Sequence, residues 1–214
     1  MTDDAADAFR HRTVLSDGSV FRVVPVETGV RAIRAWAEHP WPMSPAQALA
    51  LRDRLGWTSS PTDEEMLTTD RGIGEKNAWF LTAEADRGTR TVSSFRMALT
   101  SRIPKPVRAE AVPTAGKAFD AYVEALTAVY GQGKRSRNRG VLSVKWTLPS
   151  DTLVNIGTIG RVVSVDIDSR RSMRRLGVRP STSMRSLTRT TPPADSSTTR
   201  TPAHHQCRRA SCDC

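Results

Sequence analysis

Hydrophobic and polar residues follow regular spacings over most of the chain, and these spacings predict its first elements. The stretch TVLSDGSVFRVVPV at 13–26 predicts two short strands joined at Asp17-Gly18, because this dipeptide accepts the positive φ angles of a tight hairpin turn. From Thr28, apolar residues at three- and four-residue spacing predict an amphipathic helix. A second helix is predicted between Ser44, a good N-cap residue, and Gly56, a typical C-terminal stop.

The later pattern predicts a sheet built from two groups of strands with a long helix between them. Six strands are predicted, at 64–70, 77–84, 91–101, 141–148, 152–159 and 161–168. The third of them departs from strict alternation at Ser93-Ser94. A proline-interrupted link at 103–113 leads to the clearest helix, at 115–131. Separate blocks of helix and strand predict an α+β fold, in which helices pack on a mostly antiparallel sheet.

A change of composition near the C-terminus divides the chain into three parts. All Trp, Phe and Tyr residues lie between Phe9 and Trp146. Residues 169–214 contain 15 Ser or Thr, 10 Arg and 4 Pro without an apolar period. Such a segment cannot bury enough apolar surface to offset the entropy lost on ordering. We therefore predict a flexible N-terminus at 1–12, an α+β domain at 13–168 and a disordered tail at 169–214.

Most of the formal net charge of +10 belongs to the predicted tail. Residues 1–168 hold 22 Lys or Arg against 20 Asp or Glu, a net charge of +2, whereas residues 169–214 hold 10 Arg against 2 Asp, a net charge of +8. A charge-balanced body lacks the basic surface expected of a nucleic-acid-binding domain. Weak, nonspecific nucleic-acid binding through the tail is the alternative function that this distribution leaves open.

Lysine, aromatic residues and apolar periodicity are all absent from residues 169–214. Arg-, Ser-, Thr- and Pro-rich sequence with late cysteines is typical of a GC-rich gene translated out of frame. We therefore hypothesise that residues 169–214 are a frameshifted or recently extended end.

Cysteine usage and hydropathy indicate a cytoplasmic protein without a membrane partner. Residues 1–168 contain no cysteine, so no disulfide framework is available there. The start, MTDDAADAFR, is acidic and has no apolar stretch typical of a signal peptide. No apolar run approaches the length of about 18 residues that a membrane-spanning helix needs.

The sequence predicts no catalytic residue, cofactor or metal ion. With His11 and His39 as the only histidines of the body, and no cysteine, Cys–His nucleophilic catalysis has no residues to use there. Gly133-Lys134 lacks the spacing and the strand–helix context of a phosphate-binding loop. The tail motif HHQCRRASCDC at 204–214 has potential zinc ligands but no Cys-x-x-Cys pair, which predicts adventitious binding only.

Two charged stretches remain as candidate partner-binding residues. They are Lys134, Arg135, Arg137 and Arg139 in GQGKRSRNRG, and Asp63, Glu64 and Glu65 in TDEEMLTTD. The basic stretch predicts an exposed helix-to-strand loop that either aids solubility or contacts phosphates or an acidic partner. The acidic stretch predicts a solvated turn, with acid–base or metal chemistry or a basic partner as the alternatives.

Three longer segments resemble a family of small actinobacterial proteins that contain a domain of unknown function. These segments are HPWPMSPAQALALRDRLGW at 39–57, FDAYVEALTAVYG at 119–131 and VKWTLPSDTLVNIG at 144–157, and the resemblance extends over about 20–170. The family implies no activity, cofactor or catalytic residue. Its order of elements is similar to that of secretion chaperones and toxin-immunity proteins, which implies an immunity- or chaperone-like role. We therefore expect a non-catalytic protein-interaction module with a protein partner.

Overall fold

Three helices and ten strands make up the part of the chain that the structure describes. The computed structural model describes residues 12–69, 72–84, 88–103 and 106–169. The helices are α1 (Val26–Ala37), α2 (Pro45–Arg54) and α3 (Arg108–Tyr130). The strands are β1 (Arg12–Val14), β2 (Val20–Arg22), β3 (Thr58–Ser60), β4 (Asp63–Thr68), β5 (Ala78–Glu84), β6 (Arg90–Ala98), β7 (Lys134–Asn138), β8 (Val141–Thr147), β9 (Thr152–Thr158) and β10 (Val163–Ser169).

Eight of these strands form one sheet in the order β3-β4-β5-β6-β10-β9-β8-β7, and every pairing in it is antiparallel. The strands β1 and β2 form a separate hairpin around the predicted Asp-Gly turn. Both α1 and α3 contact β9 and β10, and α2 contacts β6. The predicted α+β class, with helices on a mostly antiparallel sheet, is confirmed. The predicted N-terminal segment at 1–12, apart from Arg12, and nearly all of the predicted tail lie outside the described residues.

Local signals for the second helix are confirmed in detail. The Ser44 hydroxyl accepts a hydrogen bond from the backbone N–H of Gln47, and the Gln47 side chain accepts one from the backbone N–H of Ser44. This reciprocal capping box satisfies two of the free N–H groups at the start of a helix. Pro45 occupies the first helical position, where its missing N–H costs no hydrogen bond.

The irregular alternation at Ser93-Ser94 corresponds to a β-bulge between β5 and β6. Leu81 pairs with Ser94, whereas the next residue, Thr82, pairs with Val92. Ser93 is therefore the additional residue of the bulge, and the bulge restores Val92 to the buried face of the sheet.

The predicted link at 103–113 is wrong in its second half, because α3 begins at Arg108 and continues through Pro113. A proline this close to the start of a helix removes one backbone hydrogen bond. Ala111 and Ala115 of the same turns are both fully buried. Burial of these small side chains compensates for the interrupted bond.

Aromatic rings from a helix, a loop and two strands form the centre of the core. The ring of Trp36 in α1 stacks on that of Phe95 in β6, with centroids 3.9 Å apart and an interplanar angle of 7°. Trp57 and Phe80 lie against the same indole, with centroids at 6.5 Å and 6.3 Å. Because Phe80 and Phe95 point to the same face of the sheet as the helices, we call this the helix face and the opposite one the far face.

Candidate functional site

The basic stretch forms a regular edge strand, whereas the sequence pattern predicted a loop. Lys134, Arg135 and Arg137 lie in β7, the last strand of the eight-stranded sheet, and Arg139 lies in the turn after it. All five residues of β7 are exposed. We call these four cations, together with the backbone of β7, the basic edge. The prediction of a loop was wrong because a strand exposed on both faces shows no apolar alternation.

The register with β8 distributes the cations over both faces of the sheet. Lys134 pairs with Lys145 on the far face, while Arg135 pairs with Val144 and Arg137 with Leu142 on the helix face. Directly opposed like charges destabilise a pair of strands. The Lys134–Lys145 pair therefore gives the basic edge an electrostatic cost that an anionic partner would relieve.

The start of β7 is held in place by a tryptophan of the neighbouring strand. The Nε1–H of Trp146 donates a hydrogen bond of 2.8 Å to the carbonyl oxygen of Gly131, which ends α3. At Gly133, a Cβ atom would lie 2.5 Å from Val144 Cγ1 and 2.7 Å from the Trp146 ring. Glycine is therefore required there, and close packing fixes where the basic edge begins.

None of the four cations of the basic edge forms an ion pair with any residue in the described ranges. Two other exposed cations of the domain do have such partners, since Arg34 binds Glu38 at 2.7 Å and Arg90 binds Glu65 at 2.8 Å. Within the described residues, the basic edge therefore presents positive charge without a carboxylate partner.

The acidic stretch does not come near the basic edge. Asp63, Glu64 and Glu65 are the first residues of β4, and five strands separate β4 from β7. The Glu65 carboxylate binds Arg90 at 2.8 Å and accepts a hydrogen bond of 2.8 Å from the Thr82 hydroxyl. The Asp63 carboxylate accepts a hydrogen bond of 3.0 Å from the backbone N–H of Glu65. The stretch begins a strand, as the pattern at 64–70 predicted, and the interpretation as a solvated turn was wrong. These contacts give two of its carboxylates a structural role.

The described ranges contain no group of three or more His, Cys, Asp or Glu side chains that could hold a metal ion. His39 lies with its Nδ1 3.0 Å from the carbonyl oxygen of Pro40, a local contact beside the core. The potential zinc ligands at 204–214 lie outside the described residues. A small cavity beside Gly29 and Trp57 has a volume of about 20 Å³, which is room for one or two water molecules rather than a substrate.

A polar row on the far face was missed by the sequence reasoning. Cross-strand pairing aligns its members over six neighbouring strands: Lys134, Lys145, Asn155, Asp166, Arg96 and Trp79. The Arg96 Nε–H donates to the Asp166 carboxylate, and the Arg96 guanidinium lies 5.5 Å from the centroid of the Trp79 ring. The Oδ1 atom of Asn155 is buried and has no hydrogen-bond partner.

Burial raises the pKa of both carboxyl groups that β10 carries on the far face. Burial raises the pKa of Asp166, although the adjacent Arg96 opposes this effect. Burial, followed by the charge of Asp166, raises the pKa of Asp168 to about 6, and Arg96 and Lys145 oppose it. The signal in the sequence was a charged residue at alternate positions of otherwise apolar strands, as in SFRMA and VSVDIDS, which resembles an ordinary solvent-facing pattern.

The described domain is an α+β domain whose antiparallel sheet ends in a basic edge strand. The family of unknown function DUF6301 matches residues 27–169, more than half of the chain, and the chain belongs to this family. The predicted resemblance to a domain of unknown function is confirmed. The match ends at the residue where the predicted tail begins. No curated protein and no solved structure matches the chain.

Among the helices that the structure describes, none has the length and apolar character needed to cross a membrane.

Proposed function

We propose that this domain is a non-catalytic protein-interaction module and that the basic edge is its contact surface. The observation that supports the proposal is an edge strand of five exposed residues whose cations have no ion pair in the described ranges. Surfaces that bind acidic partners use such cations to steer association and to select the partner. The resemblance of the predicted order of elements to secretion chaperones and toxin-immunity proteins also favours an immunity- or chaperone-like role.

A contact surface explains the basic edge better than a role in solubility does. A solubility segment needs charge but no fixed geometry, whereas β7 is fixed by Gly133 and by the Trp146 indole. On a strand, side chains of one face repeat every two residues, about 7 Å apart. Arg135 and Arg137 thus present two guanidinium groups at a defined spacing, which suits planar, bidentate recognition of carboxylates.

The chemistry of the partner follows from the charge of this surface. A carboxylate-rich protein segment would neutralise the four cations of the basic edge and relieve the opposition of Lys134 and Lys145. The proposal places this contact in the cytoplasm, because residues 1–168 contain no cysteine for a disulfide framework.

The proposal is tested by co-purification of the full chain with its partner under native conditions. One variant replaces Lys134, Arg135 and Arg137 with Gln, and the matched control replaces three cations outside the basic edge, Arg31, Arg54 and Lys117, with Gln. The bound partner should decrease by about tenfold or more in the first variant and remain at the wild-type amount in the control. Equal retention by both variants, or no protein partner at all, would overturn the proposal.

A second candidate function, nonspecific nucleic-acid binding, rests on the composition of residues 169–214, whose net charge is +8. Residues 170–214 lie outside the described residues, so only the composition of the segment supports the idea. Binding through it should be indifferent to sequence, fall steeply with salt and disappear when 169–214 is deleted. Full affinity of the truncated chain would refute the assignment to this segment.

A further inference from the structure

We propose that β7 receives an extended acidic segment of a partner protein as an additional strand of the sheet. This inference rests on the proposed function and specifies how the basic edge makes its contact. In strand addition, backbone hydrogen bonds supply affinity and alternate side chains supply specificity. Strand addition at β7 requires free backbone groups and side chains that match the partner's residues.

The turn between β7 and β8 determines which backbone N–H and C=O groups of β7 are not bonded to β8. Asn138 pairs with Val141 across a two-residue turn, in which Arg139 and Gly140 have φ angles of 47° and 81°. In a hairpin of this type the closing pair exchanges both hydrogen bonds, and such pairs alternate along the ladder. The N–H and C=O groups of Arg135 and Arg137 therefore point away from β8, toward the position of a ninth strand.

The side chains of the same two residues define the partner's pattern. Arg135 and Arg137 lie on the helix face, so an adjacent strand would place acidic residues opposite them at alternate positions. The backbone and side chains of these residues thus act together: the backbone sets the register, and the guanidinium groups select carboxylates.

A second copy of this chain does not fit the position. Pairing of β7 with β7 would bring cations against cations, which cross-strand packing disfavours. At the other end of the sheet the edge strand is β3, which is Thr58–Ser60 and carries no acidic side chain. The acidic residues lie one strand further in, on β4. Because neither described edge strand of a second copy carries carboxylates, we assign the position to a segment of a different protein.

Nucleic acid also matches the edge less well than an acidic strand does. Phosphate oxygens accept hydrogen bonds but do not donate them, so they leave the outward carbonyl groups of Arg135 and Arg137 unsatisfied. A peptide strand satisfies both kinds of backbone group at the spacing of the sheet.

Two variants at one position separate the backbone contribution from the charge. Arg137→Gln removes the guanidinium and keeps the backbone N–H, whereas Arg137→Pro removes both. Proline is tolerated on an edge strand where the N–H faces outward, so β7 and β8 stay paired. The probe is the capped peptide Thr-Glu-Val-Glu-Thr-Glu-Val-Glu, which as a strand presents all its carboxylates on one face. A peptide with the same composition in the order Glu-Glu-Glu-Glu-Val-Val-Thr-Thr is the matched control.

Titration of the full chain, followed by fluorescence anisotropy of the labelled peptide, should give tighter binding of the alternating peptide than of the control. Arg137→Gln should weaken binding by a few-fold, and Arg137→Pro by about a further tenfold, because it also removes a hydrogen bond. Amide hydrogen exchange of Arg135 and Arg137 should slow when the alternating peptide binds. Circular dichroism melting of both variants checks that the sheet remains folded.

Each outcome bears on one of the two proposals. Equal affinity of the two Arg137 variants, or equal binding of the two peptides, would overturn strand addition and leave the basic edge as an electrostatic contact surface. If the Lys134/Arg135/Arg137 triple variant also kept full affinity for the native partner, the proposed function itself would fail. Tighter binding of a single-stranded oligonucleotide to the same edge would overturn the assignment of a protein segment.

Discussion

The raised pKa of Asp168 allows a quantitative prediction about stability. Asp168 lies in β10 on the far face, between Ser94 of β6 and Leu153 of β9. Burial and the neighbouring charge of Asp166 disfavour the ionised form of Asp168. The positive charges of Arg96 and Lys145 favour the ionised form but offset only part of this effect. The variant Asp168→Asn keeps the shape of the side chain and cannot ionise.

The sign of the effect follows from the two pKa values of this group. In the unfolded chain the carboxyl titrates near its ordinary value of 3.8, and in the folded domain it titrates at about 6. Between these values the folded state holds a proton that the unfolded state has lost, so the free energy of unfolding falls as the pH rises. A difference of about two pH units corresponds to about 3 kcal/mol, at about 1.4 kcal/mol for each unit.

We therefore expect wild type to lose about 2 kcal/mol of stability relative to Asp168→Asn between pH 4 and pH 6. The rest of the difference of about 3 kcal/mol develops below pH 4 and between pH 6 and pH 7. Urea unfolding at half-unit pH intervals, followed by tryptophan fluorescence, measures this difference. Asp166, Arg96 and Lys145 are present in both proteins, so the difference between the two curves reports the loss of the Asp168 carboxyl group. The exposed Asp120 of α3 provides a matched control, Asp120→Asn, for the loss of a surface carboxylate.

A flat difference between the wild-type and Asp168→Asn curves from pH 4 to pH 6 would refute the reasoning. So would a difference of the opposite sign, in which wild type becomes relatively more stable as the pH rises. That second outcome would mean that Arg96 and Lys145 stabilise the Asp168 carboxylate more than burial destabilises it.

Three further predictions concern the packing that supports the sheet. Gly133→Ala should destabilise the domain by about 1–3 kcal/mol, because the new methyl group would overlap Val144 and the Trp146 ring. Thermal unfolding measures this loss, and an unchanged melting temperature would contradict the prediction. Tyr122→Phe should lower the free energy of unfolding by about 1–2 kcal/mol, because it leaves the buried carbonyl oxygen of Val24 without its 2.8 Å hydrogen bond. Urea unfolding measures this change, and an unchanged free energy of unfolding would mean that the carbonyl oxygen finds another donor. Ser44→Ala should cost about 1 kcal/mol through loss of the α2 cap, whereas Ser44→Asp should retain most of the stability.

Several elements were predictable because their causes lie within a few residues of sequence. The Asp-Gly turn, the N-cap at Ser44 and the end of the long helix at Gly131 depend on local backbone preferences, and all three occur as predicted. The bulge at Ser93 was visible as an interruption of alternation. In each of these cases neighbouring residues supply the whole physical reason.

The candidate site depended on contacts that local patterns do not contain. The basic residues at 134–139 were identified from sequence, but their placement on an edge strand was not, since β7 buries neither face. The pairing of Arg96 with Asp166 joins residues 70 positions apart. It exists only because β10 inserts between β6 and β9.

The sequence by itself thus determined the α+β class, most element boundaries and the residues that carry charge. The tertiary structure decided which charges are neighbours and which of the described strands lie at the two edges of the sheet. The physical reason is that turns and caps are satisfied by adjacent residues, whereas strand order is set by long-range pairing. That order gives Arg96 a carboxylate and leaves Arg135 and Arg137 facing outward at the edge of the sheet.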